Sequence, residues 1–253
     1  MAEPDLRRLL NLAERAVREA AVALVAERTE CRTLEAEEGR EVKLRADRQA
    51  EALIIETLRA ESPYRILSEE IGWVAGDESD LVWAVDPLDG SVNYVQGFPH
   101  WAVSIALVRG FSPLLGVVEC PALEETFTAI AGEEAWLNRA PISVSAVHDP
   151  MRGVLMTGIP ARAAVDAQAM GTFALELARW RKVRMIGSAA CALACVGAGR
   201  ADAYHETGGM LWDVAGGLAI VAGAGGTVAV SGDTLDGPLD VKAWNGAVAI
   251  DPP

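Results

Sequence analysis

The segment Trp83-Ala84-Val85-Asp86-Pro87-Leu88-Asp89-Gly90-Ser91 puts two carboxylates three residues apart at the end of an apolar run. Pro87 fixes the backbone between them, and Gly90 permits a tight turn or the close approach of a ligand. Ser91 then brings a hydroxyl to what reads as a helix start. Two aspartates forced together repel unless a cation lies between them, and oxygen donors of this kind suit a hard divalent ion. Backbone N–H groups at the following helix start can hold a phosphate oxygen. Taken alone, the same residues also fit an Asp-Pro turn with an Asx cap.

Two further stretches carry acids at places where chemistry is possible. Leu67-Ser68-Glu69-Glu70 ends an apolar run on adjacent glutamates, which by themselves also fit a solvated loop. Leu211-Trp212-Asp213-Val214-Ala215-Gly216 sets an aspartate at the mouth of an apolar helix, where it also fits an N-cap. Asp47 has the same plain N-cap reading. The histidines are His100, His148 and His205, and the four cysteines include no CxxC pair. A Cys/His zinc site therefore has little to build from, and metal chemistry would fall to carboxylates and to Mg²⁺. Cys191 and Cys195 share a helix face and read as small core residues.

These residues need elements to hold them. Leu6, Leu9, Leu10, Ala13, Val17, Ala20 and Leu24 recur at helical spacing and predict a helix over 4–28. The charged stretch 30–45 reads as a loop or an edge hairpin. A second helix is expected to start at Asp47 and stop before Ser62-Pro63. Strands are expected over 81–85, 103–108, 114–119, 125–131 and 136–147, the last broken at Pro141. The second half alternates: strand 154–156, helix 163–180, strand 183–186, helix 191–197, strand 201–204, helix 214–224, then strands 228–230 and 248–250. An α+β half (1–143) is thus followed by an α/β half (144–253), with no linker between them, which predicts one compact catalytic unit.

Together the motifs resemble the inositol monophosphatase family of Mg²⁺-dependent, lithium-sensitive phosphatases. The resemblance rests on Asp86-Pro87-Leu88-Asp89-Gly90-Ser91, on the upstream Glu69-Glu70 and on Trp212-Asp213-Val214-Ala215-Gly216 downstream, in that order. It extends to Ala46-Asp47, Asn93, Phe98-Pro99, Glu125-Thr126-Phe127, Gly187-Ser188-Ala189-Ala190 and Ala201-Asp202-Ala203-Tyr204.

That resemblance implies a layered α-β-α-β-α sandwich and two or three Mg²⁺ ions. Glu69, Asp86 and the Leu88 carbonyl would hold the first ion. Asp86, Asp89 and Asp213 would hold the second, and a third, weaker one would sit near Glu69. Asp47 and Ser91 would orient and deprotonate the attacking water, with Glu70 supporting the ligands from behind. Asp89, Gly90, Ser91, Gly187, Ser188, Ala189, Glu206 and Asp213 would meet the substrate. The implied reaction is hydrolysis of a small sugar or polyol phosphate monoester, with inositol 1-phosphate favoured. Histidinol phosphate, fructose 1,6-bisphosphate and 3'-phosphoadenosine 5'-phosphate are rival substrates, and a catalytically weak binding or regulatory protein is the non-enzymatic alternative. Family members are commonly homodimers. This chain departs from the family in having Ser91 where threonine is common. It also has the acidic stretch 34–41 in place of a loop that usually carries a lysine, and no evident C-terminal helix after Trp244-Asn245-Gly246.

The chain has 253 residues, with 36 acids against 22 lysines and arginines, for a net charge of -14. That balance disfavours nucleic acid and anionic membrane surfaces as partners. At first sight it disfavours phosphate esters too, but bound Mg²⁺ would invert the local sign. A charged N-terminus without an apolar signal core and the reduced-thiol pattern predict a cytoplasmic protein.

Overall fold

The computed structural model describes residues 3–30, 34–38, 41–160 and 166–250. The chain opens with helix α1 (Leu6–Glu30), the hairpin β1 (Leu34–Glu38) and β2 (Glu41–Leu44), and helix α2 (Arg45–Glu61). Asp5 caps α1 by accepting the Arg8 N–H, so Pro4 lies just outside the helix. The apolar positions spaced three and four apart along α1, from Leu9 to Leu24, are buried.

The first sheet follows. Its strands are β3 (Arg65–Ser68), β4 (Gly72–Val74), β5 (Leu81–Asp89), β6 (Ala102–Arg109), β7 (Ser112–Cys120), β8 (Glu125–Ile130), β9 (Glu134–Leu137) and β10 (Ala140–Pro141). The short helix α3 (Ser91–Gln96) joins β5 to β6. The strand order is β10-β9-β8-β7-β6-β5-β3-β4, antiparallel except where β3 runs parallel to β5.

The second sheet alternates with helices: β11 (Val154–Thr157), α4 (Ala167–Leu177), β12 (Lys182–Arg184), α5 (Ala189–Gly197), β13 (Ala203–Gly209), α6 (Leu211–Gly223), β14 (Thr227–Ser231) and β15 (Leu239–Trp244). Its order is β12-β11-β13-β15-β14.

The strand period of two divides the core. Leu81, Trp83 and Val85 of β5 join α1 and α2 in one cluster. Val82 and Ala84 face the other way, into a cluster with α5, α6 and the second sheet's Met156, Tyr204 and Val241. Leu155 and Ala203 pack with Leu177 and Trp180 beyond that sheet. The layers are therefore helix, sheet, helix, sheet, helix, the α-β-α-β-α sandwich expected. The Gly/Ala-rich composition of α6 follows from its place between two sheets. A Cβ on Gly216 would come within 2.5 Å of Ser104 Oγ.

Several boundaries differ from expectation. α2 begins at Arg45, so Asp47 lies inside the first turn and is not its cap. The strand expected over 136–147 is only β9 and β10, with 142–149 irregular. The closing strand is β15, not 248–250. Its alternation is plain in the structure, with Leu239, Val241 and Ala243 buried and Asp240, Lys242 and Trp244 between them less so. The first residues of the helix expected over 163–180, and the loop residues 39–40, lie outside the described residues. Among the described residues, no helix is long and apolar enough to cross a membrane.

Candidate active site

The parallel pairing of β3 with β5 sets Ser68 beside Val85, and the Glu69 N–H donates to the Val85 carbonyl at 3.2 Å. Glu69 therefore leaves β3 next to Asp86. Further along β5 a bulge does what a regular strand cannot. Asp86 pairs with Ser104 and Asp89 pairs with Ala102, so three steps along β5 match two along β6. In a regular strand, residues three apart face opposite sides. One inserted residue removes that opposition, and both aspartates line one cavity. Pro87 suits the bulge because it has no ladder N–H to lose.

The turn beyond is tightly specified. The Leu88 N–H donates to Asp86 Oδ1 at 2.9 Å. Gly90 has φ 86°, and a Cβ there would lie 2.9 Å from the His100 carbonyl oxygen and 3.1 Å from that of Gly187. Only glycine meets both demands. Ser91 opens α3, and its hydroxyl donates to the Leu88 carbonyl at 3.1 Å. Asn93 ties the turn to the second half, donating from Nδ2 to the carbonyls of His100 (2.6 Å) and Ile186 (2.7 Å).

From the other side come α5 and α6. Ser188 caps α5 by accepting the Cys191 N–H at 3.1 Å, and its hydroxyl also donates to Asp89. Asp89 further accepts the N–H groups of Ala190 (2.8 Å) and Ala189 (3.3 Å). Its carboxylate thus rests on a helix N-terminus, where negative charge is favoured. Asp213 is the third residue of α6 and accepts the Met210 N–H at 3.2 Å, so Met210 and not Asp213 is the N-cap, and the aspartate closes the helix start from within the first turn.

The resulting cavity measures about 250 Å³ and is lined by Glu69, Asp86, Leu88, Asp89, Gly90, Ser91, Gly187, Ser188, Ala189, Glu206 and Asp213. All sequence-predicted residues except Asp47 and Glu70 therefore meet there. Asp47 is buried in the first turn of α2, and Glu70 lies in the turn after β3. Thr157, Gly158, Ile159, Pro160, Tyr204, Gly208, Met210 and Trp212 complete the lining; none was assigned to the site from sequence, although Tyr204 and Trp212 lie within motifs of the resemblance. No lysine or arginine is among the described lining residues.

Burial of several acids together dominates the electrostatics. Burial pushes the Asp86 carboxyl well above the usual range, and the charges of Glu69, Asp89 and Asp213 add to this. Burial, then Glu69 and Asp89, do the same to Asp213. Asp89 is raised by burial to about 6, restrained by Ser188 and the α5 N–H groups. Glu206 rises by burial and the Asp89 charge to about 7, with the neighbouring Tyr204 hydroxyl acting to lower it.

These side chains fit a hard divalent cation in donor type, and such an ion would relieve the repulsion that raises them. Among the described residues no group of three or more such side chains is arranged to hold a metal ion as it stands.

Two other features escaped the sequence. Glu51, on α2, is buried and accepts hydrogen bonds from the Ser68 hydroxyl and from the N–H groups of Glu70 and Ile71, both at 3.2 Å. His205 bridges Glu176 (2.6 Å) and Asp240 (3.1 Å). It borders a second cavity of about 860 Å³, which adjoins the first along Gly158, Ile159, Pro160, Glu206, Gly208 and Met210. Cys191 is a core residue as expected, buried against Cys120 with the sulfurs 3.4 Å apart, whereas Cys195 is only half-buried.

Comparison with known proteins places this arrangement. Residues 5–251 match the model of the inositol monophosphatase family. An inositol-1-monophosphatase of Mesorhizobium japonicum is 39% identical over 208 residues, covering 80% of this chain and 75% of the relative. The Nus factor SuhB of Pasteurella multocida is 38% identical over 228 residues, covering 87% and 84%. The solved structure of an inositol monophosphatase from Anabaena superposes with a TM-score of 0.80 at 32% identity, covering 96% of this chain and 93% of that one. With its sequence matched from end to end of the sandwich and its fold shared with solved members, the chain belongs to the inositol monophosphatase family.

Proposed function

We propose that the chain is a Mg²⁺-dependent phosphatase of small sugar or polyol phosphate monoesters, with inositol 1-phosphate the favoured substrate. The observation that carries this reading is the convergence of Glu69, Asp86, Asp89 and Asp213 on one cavity, each aspartate raised by burial and Asp86 and Asp213 raised further by neighbouring acids. Glu69, Asp86 and the Leu88 carbonyl would hold one Mg²⁺; Asp86, Asp89 and Asp213 a second; a third would lie near Glu69. Bound Mg²⁺ supplies charge neutralisation at the phosphoryl group and activates water for attack.

The chain's own groups do the rest. Asp47 and the Ser91 hydroxyl take up and orient the proton of the attacking water. The N–H groups of Gly90 and Ser91 face the non-bridging phosphate oxygens. Glu206 accepts a hydroxyl of the leaving polyol, with Asp89, Gly187, Ser188 and Ala189 beside it. Ser188, committed to Asp89, acts on substrate mainly by holding that carboxylate. Glu70 supports the Glu69 turn.

A second reading is a binding or regulatory role. It draws on relatives from Pasteurella multocida and Escherichia coli that carry the name Nus factor SuhB. The full set of acids in the cavity favours turnover.

Phosphate release from inositol 1-phosphate, histidinol phosphate, fructose 1,6-bisphosphate and 3'-phosphoadenosine 5'-phosphate decides among these. It is to be measured with Mg²⁺, with EDTA and with lithium. Mg²⁺-dependent, lithium-inhibited release, fastest from inositol 1-phosphate, is expected. Fastest release from another ester would reassign the substrate, and no release from any would leave the regulatory reading.

A further inference from the structure

We infer that Glu51 is a positioning residue for the cation site, holding Glu69 in place through the turn that carries it. The inference rests on the functional reading above and names a residue that reading does not use.

Glu51 is 2% exposed and, with Asp47, is one of two buried acids on a helix whose other charged residues reach solvent. An acid is buried this deeply only when its oxygens are satisfied. Here one oxygen, Oε1, collects three donors: the Ser68 hydroxyl, the Glu70 N–H and the Ile71 N–H. Those donors straddle Glu69 in the chain.

The Glu69 N–H is held from the other side by the Val85 carbonyl of β5 at 3.2 Å. The turn after β3 is therefore clamped between the strand that carries Asp86 and the helix that carries Glu51. β3 ends at Ser68, and the Glu70 and Ile71 N–H groups beyond it point to Glu51 Oε1. Without Glu51 the Glu70 and Ile71 N–H groups and the buried Ser68 hydroxyl would lose this acceptor. The turn would then be free to move Glu69 away from Asp86.

Asp47 lies one helical turn before Glu51, four residues earlier, on the same face of α2. Both are buried. One helix face thus fixes the proposed proton acceptor and the Glu69 turn together. A shift of α2 would disturb both at once.

The role is one of geometry, so it is carried by an acceptor oxygen and not by charge. E51A removes the acceptor, E51Q keeps it, and S68A removes one donor from the opposite partner. Mn²⁺ binding followed by electron paramagnetic resonance and Mg²⁺ binding by calorimetry read the cation site directly. Circular dichroism confirms folding. E51A is expected to weaken cation binding about tenfold to a hundredfold, as loss of a ligand-orienting partner does. E51Q is expected to recover most of that loss, and S68A to weaken binding severalfold.

A merely structural role would lower the melting temperature and leave the affinity of the folded protein unchanged. Unchanged affinity in folded E51A, or no recovery in E51Q, would overturn the inference. Should E51A not fold, unchanged affinity in S68A would overturn it equally. Wild-type protein that binds neither cation would overturn the functional reading itself, and this inference with it.

Discussion

Glu206 borders both cavities and is pushed up by burial and by the Asp89 charge to about 7. As a charged acceptor for a substrate hydroxyl it is expected to contribute about 1.5–3 kcal/mol to binding, roughly ten- to hundredfold in KM. Glu206→Gln should therefore raise KM for inositol 1-phosphate by about that factor, with kcat changed far less. In the wild type, KM should also rise as the pH falls below about 7, because the protonated carboxyl accepts less well. The variant should lack that dependence. KM measured from pH 5.5 to 8.5 checks both, and a pH-dependent KM in the variant would remove Glu206 from substrate binding. At this scale the sequence was informative where acids stood next to turn residues, as at Asp86, Asp89 and Glu69. It was silent on Glu51, which looks like any helical glutamate until Ser68, Glu70 and Ile71 fold onto it from 17 to 20 residues away.

The β5 bulge and the Gly90 turn are the elements on which the site depends. Were β5 regular, with no bulge, Asp86 and Asp89 would face opposite sides of the sheet. Gly90→Ala would place a Cβ 2.9 Å from the His100 carbonyl oxygen, in a backbone conformation costing about 1–3 kcal/mol for a non-glycine residue. The variant is expected to melt several degrees lower and to bind Mg²⁺ more weakly. Thermal unfolding with and without Mg²⁺ checks this, and wild-type behaviour in both would show that the turn is not constrained as described. The pattern Asp-Pro-x-Asp-Gly was visible in the sequence, but the bulge was not, since it is defined by pairing with β6. The missed strand β15 is different in kind. Its alternation of Leu239, Val241 and Ala243 with Asp240 and Lys242 was present to be read, and the more apolar 248–250 drew the assignment away.

Across the whole molecule the buried acids bear on stability as well as function. Asp89 moves from 3.8 to about 6 and Glu206 from 4.5 to about 7, while Asp86 and Asp213 are raised further in the same direction. A carboxyl with a higher pKa in the folded state binds more protons there than in the unfolded chain. Stability then falls as the pH rises from the unfolded value through the folded one. His205, raised by Glu176 and Asp240 against the effect of burial, acts in the same sense, because its ion pairs are lost as it deprotonates. Metal-free protein should thus melt lower at pH 7.5 than at pH 5.5. Mg²⁺ should raise the melting temperature more at the higher pH, where the acids are ionised and binding adds stability by mass action. Calorimetry in EDTA and in Mg²⁺ checks the sign, and a higher metal-free melting temperature at pH 7.5 would contradict it. The sequence of an α+β half and an α/β half was legible because helical and strand periods alternate along the chain, whereas the layered sandwich was implied by the family resemblance. The net charge of -14 misled at first, since its sign at the surface says little about a cavity that gathers acids for a cation.

The most direct test is phosphate release from inositol 1-phosphate at saturating Mg²⁺ by the wild type and by Asp86→Asn, the residue assigned to both principal cation positions. Release by the wild type that stops in EDTA, with the variant at background, is the predicted result. An Asp86→Asn protein that turns over at the wild-type rate would contradict the account.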